Sequence, residues 1–387
     1  MPLRASLVGL SLTSLSALTY HLIQSNHSWG CFEYGAIAGQ TLLQLLAFSP
    51  LLMNVGFKLN AGLLDHSWGN APELSTKERR DKCWGKNVLV VGGTHGIGRG
   101  CALSFAKAGA NVWVVGRSRA DAVVEQMRQV SPLPQQEKSF QTIPRDLMKA
   151  EQCTVLCQEI IDKEWRVDFV VLTVGCWPDR AEPLTKDGLN KVIALDLVAR
   201  YAVLEGLVPA LAPGASALSV LASTQKMPHP EAEEIKSFIT GEAATKGKQY
   251  GLMQVLAMAG VSADTMLWQA GSRLPYDRVL GMHPGLVESE ISKTALPRYL
   301  WPFSRATMGL LQLAGAVLGE EEAGNLCVDI VAYEGVPECQ KEDEPNTHYY
   351  NHIRECRFTD SLAYNEEFGS WMWSWLSAFV SKKGAEK

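Results

Sequence analysis

From residue 87 onward, apolar β-branched runs alternate with longer stretches of helical periodicity. The runs Asn87–Val91, Asn111–Val115, Asp168–Thr173, Ala217–Ala222 and Arg278–Met282 are apolar at both odd and even positions. Strands covered on both faces of a parallel sheet read this way. A further strand ends near Asp146, in "IPRDL". Helix-length segments lie between the runs, at Gly98–Ala108, Ala120–Val130, Ala150–Lys163, Gly188–Leu211 and Gly241–Ala259. Such alternation implies right-handed crossovers and predicts an α/β fold, a Rossmann-type doubly wound parallel sheet with helices on both faces.

The flanks are patterned differently. Residues 1–64 form an apolar extension in which Glu33 is the sole formal charge between Ala5 and Phe57. Its stretch from Tyr34 to Phe57 is long enough to cross a bilayer core of about 30 Å as a helix. The extension is therefore expected to be a targeting segment or membrane helices, with a pair of amphipathic helices packed on the domain as the alternative. Residues 65–84 read as a polar linker, 85–333 as the α/β domain, and 334–387 as a surface loop (Gly335 to His352) followed by a Trp-rich helix. On that helix Trp371, Met372, Trp375, Leu376 and Phe379 gather on one side, ahead of Lys382 and Lys383. Two readings stand: anchoring at a membrane interface, or docking onto the chain's own domain.

Composition narrows the function classes. Hydrophobic residues make up 47% of the 387 and charged residues 20%, which is globular rather than disordered. The net charge of −5 gives no electrostatic case for nucleic acid. Nine cysteines occur without a Cys-x-x-Cys pair; Cys153 and Cys157, one turn apart, supply two ligands at most. Reduced thiols and no metal site are expected.

The strongest local chemistry is "NVLVVGGTHGIGRG", a strand running through Gly92, Gly93, Thr94, His95, Gly96, Ile97 and Gly98 into a helix. Small residues at this spacing let the backbone turn tightly and bring a pyrophosphate to the helix N-terminal amides. The next strand ends in Arg117 and Ser118. An acidic residue there would hold the ribose hydroxyls of NAD, whereas a guanidinium fork suits a 2′-phosphate. NADP(H) is the expected cofactor. His95 and Arg99 add basic character at the turn, and Asp146 is placed to accept from an adenine amino group.

With Gly-x-x-x-Gly-x-Gly after the first strand and "MHPGLVES" after the sixth, the chain resembles the short-chain dehydrogenases/reductases (SDRs) over roughly Gly85 to Cys327. The apolar extension and "ALPRYLWPF" are similar to the membrane-associated, retinol-dehydrogenase-like branch. The resemblance implies cofactor contacts from Val174, Gly175, Pro284, Gly285 and Ser289. It also implies an Asn-Ser-Tyr-Lys tetrad, from which this chain departs. Ser223 stands where the family holds substrate oxygen and Tyr250 where it has its proton donor, but Asp196 falls at the asparagine and Gln254 at the lysine. A nearby ammonium favours phenolate and so activates a tyrosine; an amide carries no charge. Tyr250 and Gln254, four apart on a helix, are expected to share a face. The resemblance implies an NADP(H)-dependent oxidoreductase reducing the carbonyl of a small lipophilic substrate, on a mitochondrial or endoplasmic-reticulum membrane. It also implies pairing through the helices of Asp196 and Tyr250, as a homodimer. The alternative is a degenerate SDR that binds NADP(H) structurally, as a membrane-linked or assembly subunit.

Overall fold

Seven parallel strands form one sheet in the order β3-β2-β1-β4-β5-β6-β7 in a computed structural model of the chain. The structure describes residues 73–118, 120–133, 139–179, 182–222, 229–285, 287, 318–332, 346–351 and 359–385. They lie in one compact unit; the apolar extension, Ser223 and Ser289 fall outside the described residues. The strands are β1 (Asn87–Val91), β2 (Asn111–Gly116), β3 (Phe140–Pro144), β4 (Val167–Leu172), β5 (Leu211–Val220), β6 (Arg278–Met282) and β7 (Thr347–Tyr350). Val88 pairs with Val112 on one side and Phe169 on the other, so β1 and β4 are neighbours. The order reverses there, and the carboxyl ends of strands at such a switch point are where α/β sheets bind ligands.

The two-faced apolar pattern of β1 has its cause in the packing. Leu89 and Val91 enter one core cluster and Val88 and Val90 the other, all fully buried. Helices α1 (Thr76–Cys83), α2 (Gly96–Lys107), α3 (Asp121–Val130) and α4 (Ala150–Asp162) follow in chain order. Next, α5 (Lys191–Ile193) runs through a π turn at Ala194–Ala199 into α6 (Arg200–Gly206). Then come α7 (Ala232–Ile239), α8 (Glu242–Thr245), α9 (Leu252–Arg273), α10 (Glu320–Ala332) and α11 (Glu366–Ala385). Where α2 crosses α10, a β-carbon on Gly324 would stand 2.2 Å from the Gly100 backbone. The six described cysteines are free thiols, and five of them are buried.

Two expectations need correction, and one open choice is decided. The surface loop expected from Gly335 to His352 contains β7, paired in register with β6 and wholly buried. Its polar flanks hid a four-residue run, "THYY", that Thr347 anchors by donating from Oγ1 to the Leu267 carbonyl at 3.1 Å. The sheet therefore continues past residue 333.

The segment Gly241–Ala259 is not one helix. It breaks at Gly247, whose φ of +72° leaves the helical region, and α9 starts only at Leu252.

The Trp-rich helix α11 docks on its own domain. Phe368, Met372 and Leu376 are buried in the core, with Trp371, Trp373, Trp375 and Phe379 half-buried against it. The Trp373 ring meets Tyr201 edge-on at 4.9 Å. No described helix is long and apolar enough to cross a membrane.

Candidate functional site: a phosphate cradle at the sheet switch point

At the end of β1 the chain turns through Gly92 at φ +94°, a conformation natural to glycine. A β-carbon on Gly92 would lie 2.8 Å from the Val174 amide nitrogen, and one on Gly93 would lie 2.7 Å from Val114 Cγ1. One on Gly98 would come within 2.2 Å of the Gly92 carbonyl oxygen. Three glycines thus let the turn lie flat against β2, the residues just past β4, and α2. Thr173 closes this contact by donating from Oγ1 to the Val91 carbonyl at 3.0 Å.

The α2 N-terminus behind the turn has no side-chain cap: His95 holds the N-cap position and bonds Thr94 Oγ1 through Nδ1 at 3.0 Å instead. The first-turn amides of Gly96, Ile97 and Gly98 have no intrahelical acceptor, which is the physical requirement for an anion seat.

Two basic side chains at the turn have different fates. Arg99 is paired with Glu320 of α10 through Nε at 2.9 Å and through Nη2, so its charge is already neutralised. Arg117 and Ser118, just past β2, are exposed. Arg117 makes no hydrogen bond or ion pair with a described residue. The loop is held to the turn by Gly116, where a β-carbon would meet Thr94 Cγ2 at 2.4 Å. Asp146, beyond β3, accepts from the Met148 amide at 3.3 Å.

Beyond β4, the Val174 carbonyl accepts from Arg200 Nη2 at 2.7 Å. Gly175 faces Asp196, whose Oδ1 would be 2.7 Å from a β-carbon there. Asp196 sits in the π turn, a widening of the helix often found at functional sites. Its Oδ1 is buried with no hydrogen-bond partner among the described residues, while the side chain as a whole keeps 24% exposure. Burial pushes its carboxyl up to about 6, against the opposing pull of Arg200 at 3.6 Å. Cys176, next in the chain, is pushed up to about 12, also by burial first. After β6, the His283 amide donates to the Tyr350 carbonyl at 2.9 Å, and Pro284 leads into Gly285 at φ +75°.

The expected Tyr250–Gln254 face does not form. Tyr250 precedes α9 rather than lying on it, and Gln254 turns back to accept the Gly251 amide at 3.0 Å through Oε1. Gln254 is thereby an exposed cap for α9. The Tyr250 ring packs edge-on against Phe238 at 5.3 Å, with Lys248 Nζ over it at 4.7 Å. Its hydroxyl is buried without a hydrogen-bond partner among the described residues. Arg200 was missed in the sequence; its signal is an arginine one turn after Asp196 inside an otherwise apolar helix.

A glycine cradle at an uncapped helix N-terminus, on a parallel sheet at its switch point, defines a dinucleotide-type α/β domain. Among solved structures, the chain is similar to a Burkholderia cenocepacia short chain dehydrogenase in complex with NADP (18% identity, TM-score 0.49, covering 70% of this chain and 97% of that one). A sequence model of the short chain dehydrogenases matches residues 86–232. The chain is 30% identical over 134 residues to the rhamnolipids biosynthesis 3-oxoacyl-[acyl-carrier-protein] reductase of Pseudomonas aeruginosa, covering 34% of this chain and 50% of that protein. It is 30% identical over 127 residues to human dehydrogenase/reductase SDR family member 12, covering 33% and 39%. Over residues 86–232 the chain is thus similar to the short chain dehydrogenases. Over the first four curated relatives, the match spans between 32% and 61% of the relative's length.

Proposed function

We propose that the protein is an NADP(H)-dependent oxidoreductase that reduces a carbonyl on a small, lipophilic molecule. The observation that carries this reading is the cradle itself: Gly92 and Gly98 leave no room for side chains, and the α2 amides point into it uncapped. The residues fit the nucleotide. Gly96, Ile97 and Gly98 would hold the pyrophosphate through their amides, Arg117 and Ser118 a 2′-phosphate, Asp146 the adenine amino group, and Val174, Gly175, Pro284, Gly285 and Ser289 the nicotinamide side. NADPH, when bound, supplies a hydride. Ser223 holds the substrate oxygen and Tyr250 releases a proton to it, a direction in which the neutral phenol is already the required form. The relatives' names favour reduction too, since one is a 3-oxoacyl reductase. The apolar residues 1–64 favour the membrane-associated, retinol-dehydrogenase-like branch.

A second reading has its own observation. Gln254 caps α9 and carries no charge, so the position that holds the family's lysine does not activate Tyr250; the ammonium beside its ring is that of Lys248, before the helix. A chain of this kind binds NADP(H) for stability, through mass action on the folded state, as a subunit of a membrane-linked assembly. The deciding experiment titrates the purified chain with NADPH and NADH by fluorescence, then offers 4-nitrobenzaldehyde and a ketone panel. NADPH binding with turnover supports the reductase; binding without turnover supports the second reading; no binding of either nucleotide overturns both. Arg117→Ala is expected to weaken NADPH about 10–100-fold and to leave NADH unchanged.

A further inference from the structure

Arg200 is 5% exposed, in the middle of the sheet-facing helix. A buried guanidinium is tolerated only when its desolvation is offset by well-formed contacts. The hydrogen-bonded ladder between β4 and β5 ends at Leu172–Ser219. Just past that point, Arg200 Nη1 donates to Ser219 Oγ and to the Val220 carbonyl, both at 2.6 Å. Nη2 donates to the Val174 carbonyl at 2.7 Å and lies 3.6 Å from Asp196 Oδ1. One planar group therefore extends the ladder, serving one carbonyl on each strand after the strands themselves have parted. One carboxylate and one thiol from other elements bear on this pair. Asp264 of α9, fully buried, attracts Arg200, and the Cys176 thiol faces Asp196 from the loop after β4.

We propose that Arg200 is a positioning residue of the reaction site, clamping the carboxyl ends of β4 and β5 at a fixed separation and orienting Asp196 beside Gly175. Gly175 follows one clamped carbonyl and Leu221 the other, so the guanidinium sets the spacing of two strand ends at the switch point. A lysine at this position keeps the charge but lacks the planar fork needed to reach all three acceptors. The assignment rests on the reductase reading, although the clamp makes a prediction of its own.

The test uses the full chain and the variants Arg200→Lys, Arg200→Gln and Ser219→Ala. In Arg200→Lys, NADPH affinity is expected to stay within about threefold, while kcat for 4-nitrobenzaldehyde falls about a hundredfold, as misplacement of reacting groups produces. Ser219→Ala, which removes a single contact, shows the same split at smaller size and covers the case in which the arginine variants do not fold. Independently of turnover, the Asp196 carboxyl is followed by its carbon-13 shift and assigned by its absence in Asp196→Asn. Its titration moves upward in Arg200→Gln, because an attracting cation has been removed. A kcat within threefold of wild type in Arg200→Lys overturns the proposal. Parallel loss of kcat, NADPH affinity and melting temperature also overturns it, as does an unmoved titration. If the wild-type chain reduces no carbonyl, the reductase reading fails and the titration alone decides on the clamp.

Discussion

Gly98 packs against the carbonyl of Gly92 so closely that a β-carbon would stand 2.2 Å from the oxygen. The contact is backbone on backbone, and no rotamer change can relieve it. Gly98→Ala must therefore push α2 away from the turn, at a cost of about 1–3 kcal/mol, the usual range for overpacking. The same shift carries the first-turn amides off the phosphate. NADPH affinity is expected to fall at least about tenfold, measured by fluorescence titration alongside thermal unfolding.

Tyr250 separates catalysis from stability. Its hydroxyl is buried without a hydrogen-bond partner among the described residues, so Tyr250→Phe removes a polar group that none of them satisfies and leaves the ring's contact with Phe238 intact. Thermal unfolding should be unchanged or slightly improved. If the hydroxyl is the proton donor, turnover disappears in the same protein. Retained turnover would remove Tyr250 from the chemistry.

Asp196 links stability to pH. Its folded-state value, about 6, lies above the ordinary 3.8, so the native state holds the proton more tightly than the unfolded chain. The stabilisation is fully present below pH 4 and is lost as pH rises through 6. Between pH 4 and 7.5, wild type should lose on the order of 1–3 kcal/mol relative to Asp196→Asn, allowing for the carboxyl's partial exposure. Urea denaturation of both proteins at the two pH values measures the difference; equal pH dependence would show that the carboxyl is not held in this environment.

Phe368 places the Trp-rich helix. It is buried at 2% exposure in the same cluster as Leu204 and Met266. Phe368→Ala should cost about 3–5 kcal/mol, as buried aromatic deletions do. A helix seated in lipid rather than on the domain would show almost no change in unfolding midpoint.

Much of the sheet could be read in advance because its strands are covered on both faces: Val88 through Val91 leave no alternative to a buried strand. The cradle was legible for a related reason, since its glycines are required by backbone contacts that leave a fixed spacing. β7 was not legible, because a run of four residues between polar flanks carries too little periodicity to stand out. Tyr250 and Gln254 misled through spacing alone. The glycines at 247 and 251 mark a break before α9, and the glutamine reaches the Gly251 amide at close range, a local bond that wins over a shared face. Arg200 needed the structure, since nothing in a linear sequence says which carbonyls lie across the sheet from it.

β7 joins the sheet from near residue 350, while β1 begins at 87. During synthesis on the ribosome, the first six strands emerge without the neighbour that covers β6 and without the aromatic side chains of α11 that complete the larger core. An unpaired β6 rim and an uncovered helix layer are the surfaces on which nascent chains associate wrongly. The protein is therefore expected to depend on chaperones until translation has passed these elements, and a premature stop codon in this late region would be as damaging as one near the middle of the gene.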